Sequence, residues 1–397
     1  MKHAGRMAAI ATYAFAELDE LCEQRRAAGA DVIDFGVGDP TDPTPGNVLE
    51  AAAAGLVRHR AAGYPSYVGS PEFREAVAAW FGRRHGVALE ARTQVSITVG
   101  SKEAVFHAPL AFVDPGDVVL LPSPGYPPYV RGTHFAGGRW ETYPVLPEGP
   151  LLPDLDALPD ELSAHLAMVW ITQPHVPTGR VASLAALQRL ADQCRARGVL
   201  LCSDEAYSEL WTETPAPSAL ETGSDHVLVF QSLSKRSEMT GYRVGFVAGD
   251  AEAVGGFRRL KTNIDSGVPR FVEDAGIAAL QDESAPRRAR ERYAARTEVM
   301  VAALRRLGCD VAWPEAGFYL WCSTPDGGSG VEFARRLLAE APALAVMPGE
   351  WLADPVGALA AGHPAAARTP GAGRVRWALV PDLERCREAA DRLASWA

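Results

Sequence analysis

The chain reads S-L-S-K-R-S-E-M-T-G-Y-R at residues 232–243, directly after an apolar run at 227–230 that is typical of a buried strand. Lys235 therefore follows a strand end, where burial would favour a neutral amine that can attack a carbonyl and form a Schiff base. Arg243 carries a planar guanidinium suited to a phosphate, and Ser232 and Ser234 offer hydroxyl donors. The stretch predicts a site for an aldehyde cofactor with a phosphate, pyridoxal phosphate, although a basic surface turn is the alternative.

Length and composition indicate a globular protein with more than one domain. The 397 residues exceed one typical domain, so we expect a large and a small one. Hydrophobic residues make up 47% of the chain and charged residues 22%, which is ordinary for an enzyme. The net charge of −10 argues against nucleic acid or an anionic membrane as a general partner.

The cysteine spacing indicates whether the chain has disulfides or a metal site, and the apolar segments indicate where in the cell the protein is located. The six cysteines are Cys22, Cys194, Cys202, Cys309, Cys322 and Cys386. Because none forms a C-x-x-C pair, the pattern predicts small buried hydrophobes rather than a disulfide framework or a metal site. The sequence has no signal-like start and no apolar run of 18 residues, so we expect a cytoplasmic protein.

A strand–helix–strand unit occupies the middle of the chain. Leu166–Ile171 is an apolar strand, Ser183 caps a helix, and Val199–Cys202 is the next strand. This order is typical of a parallel sheet, whose active sites lie at the carboxyl ends of strands. Asp204 follows one such end, and Lys235 follows the next.

Other loops carry residues that suit a ligand. Ser101 and Lys102 open a helix after a strand and form either an anion site or an ordinary helix cap. Tyr126 lies in a rigid Pro/Gly turn and could stack on a ring. Gly38 permits close backbone approach or a plain turn, and Tyr67 is either a core-edge tyrosine or a phosphate ligand.

These motifs converge on one family. They are G-V-G-D-P at 36–40, Y-P-S-Y-V-G at 64–69, G-S-K-E-A at 100–104, P-G-Y-P at 124–127, P-T-G at 177–179, D-E-A-Y at 204–207, S-L-S-K-R-S at 232–237, G-Y-R-V-G-F at 241–246, A-G-F-Y-L-W at 316–321, P-G at 348–349 and G-R-V-R-W-A-L at 373–379. Over nearly its whole length the chain resembles the class I/II aminotransferases of fold type I. Within that family it is most similar to succinyldiaminopimelate aminotransferase and its relatives.

The resemblance implies an α/β fold and an organisation into domains. A large domain would have a mixed, mostly parallel sheet, and a smaller α/β domain would follow it. Residues 1–45 would form an N-terminal arm and part of the small domain, residues 46–285 the large cofactor-binding domain, and residues 286–397 the small domain. The family also implies amino acid and 2-oxo acid substrates, with glutamate and 2-oxoglutarate as one pair, and a homodimer with shared active sites.

The resemblance also assigns roles around the cofactor, pyridoxal 5'-phosphate. Lys235 would hold the cofactor and later move the α-proton of the substrate. Asp204 would pair with the pyridine nitrogen, Tyr207 with the phenolic oxygen, and Tyr126 would stack on the ring. The phosphate-binding candidates are Ser101, Lys102, Ser232, Ser234 and Arg243.

Three further residues are expected at the substrate and at the neighbouring subunit. Arg376 would bind the substrate α-carboxylate through two parallel hydrogen bonds, whereas on its own it would read as a core-edge arginine. Gly38 would touch the substrate through its backbone. Tyr67 would reach the phosphate of the neighbouring subunit.

Two residues depart from the family pattern. Val176 stands where relatives usually carry an asparagine that donates to the phenolic oxygen, and its loss should raise the basicity of the Schiff base. Glu238 stands where relatives often carry asparagine. If its carboxylate points inward, it would add negative charge near the phosphate or select a cationic substrate, but a surface turn residue is the favoured interpretation.

These departures keep other functions open. A same-fold enzyme could perform elimination, oxidation or cyclisation on an amino acid, because the cofactor itself supplies the carbanion chemistry. A cofactor-binding regulator is a third possibility. The segment before Gly36 has no basic helix-turn-helix pattern, which argues against the regulator.

Overall fold

The computed structural model describes residues 2–7, 14–353 and 370–396. The strands in these ranges are β1 Ile33–Asp34, β2 Val95–Thr98, β3 Val118–Ser123, β4 Arg139–Pro144, β5 Leu166–Thr172, β6 Leu200–Asp204, β7 Val227–Ser232, β8 Gly245–Gly249, β9 Tyr319–Ser323, β10 Leu344–Ala345, β11 Met347–Pro348 and β12 Arg374–Ala378. The helices are α1 Ala14–Ala27, α2 Gly46–Arg58, α3 Pro71–His85, α4 Ala91–Gln94, α5 Ser101–Phe112, α6 Pro127–Ala136, α7 Asp160–Ser163, α8 Leu184–Arg197, α9 Leu233–Arg236, α10 Ala251–Lys261, α11 Arg270–Gln281, α12 Ser284–Arg306, α13 Gly330–Ala339 and α14 Leu383–Trp396.

Local signals explain where helices begin and end. The Ser70 side chain accepts a hydrogen bond from Phe73 N and caps α3, whose first residue is a proline. Ser183 caps α8 in the same way. Gly86 and Gly198 end these helices at φ values of 68° and 66°, a left-handed conformation that suits glycine. These caps therefore set the first and last residues of α3 and α8.

The main sheet has seven strands in the order β2-β8-β7-β6-β5-β3-β4. The strands from β3 to β7 pair in parallel, whereas β8 runs antiparallel to both of its neighbours. Every residue of β7 is buried, as expected for a strand covered on both faces. The predicted α/β fold with a mixed, mostly parallel sheet is confirmed.

Alternate residues of the strands enter two separate cores. Val227 and Val229 of β7 pack with a core that includes α3 and α8 side chains. Leu228 and Phe230 face the opposite core, which includes Phe257 of α10. This alternation follows from the two-residue period of a strand. Helices on both faces therefore fix the strand ends, and with them the loops that follow.

A smaller set of elements packs at one end of the main sheet. The strands β11, β12 and β9 form an antiparallel sheet, and β1 pairs in parallel with β10. A third core joins residues of α12 and α14 to this sheet and to Phe35. The segment around residues 33–35 thus contacts the C-terminal elements. The exact domain boundaries at 45/46 and 285/286 stay a prediction.

The cysteines are free and buried, as the sequence predicts for small hydrophobes. Among the described residues, no helix combines the length and apolar composition that a membrane crossing requires. The same residues contain no group of three or more His, Cys, Asp or Glu side chains arranged to hold a metal ion.

Candidate active site

A cavity of about 440 Å³ lies at the carboxyl edge of the main sheet. It is lined by the residues that follow β3, β5, β6 and β7, by the first turn of α5, and by side chains of β9 and β12. Residues of the smaller sheet and residues at the ends of the parallel strands therefore line this cavity together. Such an edge is where open α/β sheets bind ligands.

Lys235 lies in α9, one short turn beyond the end of β7. Its Nζ donates to the carbonyl oxygen of Gly38 at 2.6 Å. Burial lowers the pKa of the amine to about 8, against the opposing charges of Asp39 and Glu238. A sizeable fraction of the amine is then neutral near pH 7 to 8, as a nucleophile requires. This partly buried position is not that of a basic surface turn.

Asp204 ends β6, and its side chain is buried. Its Oδ2 accepts a hydrogen bond from the Tyr129 hydroxyl at 3.0 Å, and its Oδ1 accepts one from Ala206 N at 3.3 Å. Burial raises the pKa of this carboxyl to about 6, and the two hydrogen bonds only partly offset it. A cationic N–H group in the cavity would lower the pKa again, because an opposite charge favours the carboxylate.

Tyr207 and Arg376 both contact Tyr319. The hydroxyls of Tyr207 and Tyr319 are 2.9 Å apart, and the Arg376 guanidinium lies over the Tyr319 ring, 4.5 Å from its centroid. Arg376 also donates through Nη2 to the carbonyl oxygen of Gly36 at 2.6 Å. A side chain at Gly38 would collide here, because its Cβ would lie 1.9 Å from the Tyr319 hydroxyl.

A cationic cradle, consisting of Ser101, Lys102, Ser232, Ser234 and Arg243, forms another wall of the cavity. Ser101 and Lys102 open α5, so their free N–H groups and the helix dipole favour an anion. The pKa of the Lys102 amine is lowered by burial and by the neighbouring charges of Arg131 and Arg243. Clustered positive charge of this kind is stabilised by a bound anion.

Gly100 leaves room for the cradle. Its φ is 72°, and a Cβ there would lie 2.2 Å from the Nη2 atom of Arg243. The Ser232 hydroxyl accepts a hydrogen bond from Ser234 N at 3.2 Å, so its own O–H can still donate. The absence of a side chain at residue 100 thus lets the guanidinium approach the start of α5.

All but one of the residues predicted for the site line this cavity, and Tyr126 and Val176 are among them. The exception is Tyr67, which is 42% exposed and is not part of the cavity wall of its own chain. A role for Tyr67 in a neighbouring subunit stays a prediction. Val176 contacts the third core, formed by α12, α14 and the smaller sheet, and its aliphatic side chain lines the cavity.

The favoured interpretation of Glu238 as a surface turn residue is wrong. Its side chain is buried, and its carboxylate pairs with Arg292 of α12 at 2.5 Å. The residue adopts a φ of 50°, which side-chain-bearing residues rarely do. Burial raises the pKa of the carboxyl to about 7, against the charge of Arg292. Glu238 points inward, but toward α12 rather than into the cavity lining.

Several lining residues were not predicted from the sequence. Tyr129 follows Tyr126 by one helical turn, and Thr172 pairs with Asp204 in the sheet register. The hydroxyls of Tyr129 and Thr172 are 3.0 Å apart. Tyr319 lies inside a recognised motif, but nothing in the sequence shows that it meets Tyr207. The other unpredicted lining residues include Asp19, Thr240 and Leu352.

The aminotransferase class I and II family model matches residues 30–393. The LL-diaminopimelate aminotransferase of Aquifex aeolicus is 40% identical over 392 residues, which covers 98% of this chain and 97% of that protein. The enzyme of the same name from Gloeobacter violaceus is 40% identical and covers 99% of this chain and 98% of that protein. These comparisons support amino transfer rather than the alternative of elimination, oxidation or cyclisation.

Solved structures agree with this family. A probable N-succinyldiaminopimelate aminotransferase from Thermus thermophilus superposes with a TM-score of 0.86 at 31% identity, covering 97% of this chain and 100% of that one. The aspartate aminotransferase of Thermus thermophilus with maleate gives a TM-score of 0.89 at 27% identity over all of both chains.

The donor set of the cavity fits pyridoxal 5'-phosphate, the cofactor of this family. A lysine of lowered pKa suits the aldehyde, and a buried carboxylate suits a pyridinium nitrogen. The cationic cradle, with its glycine at residue 100, suits a phosphate. The chain belongs to the class I and II aminotransferases, enzymes that use pyridoxal 5'-phosphate to move amino groups between amino acids and 2-oxo acids.

Proposed function

We propose that this aminotransferase exchanges an amino group between LL-diaminopimelate and 2-oxoglutarate, with L-glutamate as the second amino acid of the cycle. Relatives with that substrate in their names match over nearly the full chain at 37–40% identity. The observation that carries the proposal is that Arg376 and Asp19 line one cavity. An arginine suits the α-carboxylate, and an aspartate suits a distant ammonium group.

The surroundings of Asp19 support a cationic end for the substrate. Burial raises the pKa of this carboxyl, and the charges of Asp34 and Glu23 raise it further, against Arg26. A substrate ammonium group near these carboxylates would relieve their mutual repulsion. At the end distant from the reacting amino group, an N-succinyl substrate has an amide and a further carboxylate in place of the ammonium group. The carboxylates of Asp19, Asp34 and Glu23 therefore favour the free diamino acid.

The proposed roles at the reacting centre follow from the contacts. Lys235 would hold the cofactor through its amine and would move the α-proton of the substrate, which its lowered pKa permits. The bound cofactor supplies a sink for the electrons left at the α-carbon. Asp204 would keep the pyridine nitrogen protonated, Tyr207 would donate toward the phenolic oxygen, and Tyr126 would stack on the ring.

Other residues bind the phosphate of the cofactor and the α-carboxylate of the substrate. The cationic cradle binds the cofactor phosphate. Arg376 binds the substrate carboxylate through two N–H groups, and Gly38 contacts the substrate through its backbone. Val176 would offer the phenolic oxygen an apolar contact and no hydrogen bond.

At the level of assembly, we infer a homodimer with shared active sites, in which Tyr67 reaches the phosphate of the neighbouring subunit. Its exposure in the single chain supports this role. The division into a large domain at 46–285 and a small domain formed by 286–397 with part of 1–45, and a cytoplasmic location, are parts of the same proposal.

The test of the substrate compares two amino donors in the parent protein and in Asp19→Asn. We expect LL-diaminopimelate to react with 2-oxoglutarate, and the asparagine variant to raise its KM about threefold to fivefold, as for the loss of one exposed ion pair. The KM of L-glutamate, which has no second ammonium group, should stay within twofold. Equal KM changes for both donors, or a preference for the N-succinyl compound in the parent protein, would contradict the proposal.

A further inference from the structure

Tyr319 lies on β9, where it is almost fully buried, and it reaches across to the strand ends of the main sheet. Its hydroxyl is 2.9 Å from that of Tyr207. In a pair of hydroxyls, one O–H donates to the other oxygen and the second O–H is free to donate elsewhere. If Tyr319 donates to Tyr207, the proton of Tyr207 is directed into the cavity.

Val176 forms the neighbouring part of the same wall. Its aliphatic side chain lines the cavity but can neither donate nor accept a hydrogen bond. Val176 and Tyr207 pack against the same core, so Tyr207 is placed to supply the donor that residue 176 lacks. Burial raises the pKa of the Tyr207 hydroxyl, so this group stays protonated and able to donate.

The ring of Tyr319 has a separate function from its hydroxyl. The Arg376 guanidinium lies 4.5 Å from the ring centroid, in a cation–π contact that fixes the arginine over the cavity. Phenylalanine at this position would keep that contact and remove only the hydroxyl. The two roles can thus be separated by substitution.

We propose that Tyr319 is a positioning residue that donates to Tyr207 and so strengthens the hydrogen bond from Tyr207 to the phenolic oxygen of the cofactor, in place of a donor at residue 176. This proposal rests on the function given above. A donor at the phenolic oxygen stabilises the more negative, deprotonated form of the bound cofactor, so Tyr319 lowers the pH at which that form appears.

The test is a pH titration of the visible absorption band of the holoenzyme. Tyr319→Phe should raise the midpoint by about half to one pH unit, the effect of weakening one hydrogen bond. Tyr143→Phe is the matched control, because its buried hydroxyl donates to Trp170 O at 3.1 Å outside the cavity. Tyr143→Phe should leave the midpoint unchanged, although it should lose about as much thermal stability as Tyr319→Phe.

Two more variants complete the design. Val176→Asn restores a side-chain donor and should lower the midpoint, both alone and in the Tyr319→Phe background, so the proposal is tested even if Tyr319→Phe does not fold. Tyr319→Leu, which also removes the ring, should raise the KM of the amino donor several-fold, whereas Tyr319→Phe should not.

The proposal is overturned if the midpoints of Tyr319→Phe and Tyr143→Phe agree, or if Val176→Asn leaves the midpoint of its parent unchanged. The proposed function fails in a different way. In that case the parent protein shows no visible band, or a band that no amino donor converts, before any variant is compared.

Discussion

Glu238 is the residue whose environment differs most from its sequence-based expectation. Its carboxyl is buried against Arg292, with Asp42 nearby, and one of its oxygens has no hydrogen-bond partner within the described chain. Its pKa is raised to about 7 from an ordinary value near 4.5. The folded protein therefore holds its proton at pH values where the unfolded chain has lost it, and stability falls as pH rises from about 4.5 to 7.

Glu238→Gln should remove this dependence. We expect the Tm of the parent protein to fall between pH 5 and pH 8 by a few degrees more than that of the variant. Thermal unfolding at both pH values measures the difference. Glu384→Gln, at an exposed acid of α14, is the control and should follow the parent. A Glu238→Gln curve parallel to that of the parent would contradict the assignment.

Tyr129 donates one of the two hydrogen bonds that favour the ionised form of Asp204. Without this donor the pKa of Asp204 should rise further, because a hydrogen bond to the charged form is lost. Tyr129→Phe should therefore shift the acid limb of the kcat profile upward by about one pH unit. Tyr143→Phe again serves as the control, and a uniform loss of kcat at all pH values would argue for a merely structural role.

At the scale of elements, the start of α5 depends on Gly100. Gly100→Ala introduces both an unfavourable backbone conformation and a Cβ against Arg243. Gly86→Ala has nearly the same φ, 68°, but nothing lies within 4 Å of its added Cβ. Gly86→Ala should lose about 1 kcal/mol of stability, because alanine is forced into the left-handed region. Gly100→Ala should lose more, because its φ of 72° and ψ of 168° are nearly confined to glycine and the added Cβ meets Arg243.

The two glycine variants should differ in cofactor affinity. Gly100→Ala should weaken the binding of pyridoxal 5'-phosphate about tenfold or more, and Gly86→Ala should not change it. Fluorescence titration of the apoprotein with the cofactor measures this. Equal affinities would mean that the start of α5 does not hold the phosphate.

The sequence predicts those parts of the fold that depend on local patterns. Buried strands, the Ser183 cap and the loops after the strands are expected from the sequence, because each depends on the residues of one segment. The antiparallel direction of β8 and the helix α11 were not foreseen, because long-range packing decides them. The register that sets Thr172 beside Asp204 is a property of two paired strands and cannot be read from either one.

The same distinction applies to the site. Lys235, Asp204 and Arg243 stand in motifs with a chemical signature, so their gathering in one cavity could be expected. Tyr319 comes from another sheet, and its contact with Tyr207 depends on how the two sheets meet. The burial of Glu238 is produced by α12, more than 50 residues further along the chain, so the residues around Glu238 do not indicate it.

At the scale of the whole molecule, a shared active site can be tested by mixing two inactive variants. Lys235→Ala lacks the amine, and Tyr67→Ala lacks the group that we expect to cross between subunits. A mixed dimer would contain one complete site, so random reassociation should restore about a quarter of the parent activity. Each variant alone is the control. If mixing restores nothing although mixed dimers form, Tyr67 acts within its own chain. If Tyr67→Ala alone is as active as the parent protein, Tyr67 has no role in the site.

The measurement that tests the central claim most directly is the visible absorption spectrum of the purified protein before and after adding L-glutamate. We expect a yellow band that L-glutamate converts to that of the aminated cofactor and that 2-oxoglutarate restores, and we expect Lys235→Ala to lack the band of the lysine-linked form. A protein that shows no such band, or the same spectrum in Lys235→Ala, would contradict the assignment of Lys235 and of the cavity around it.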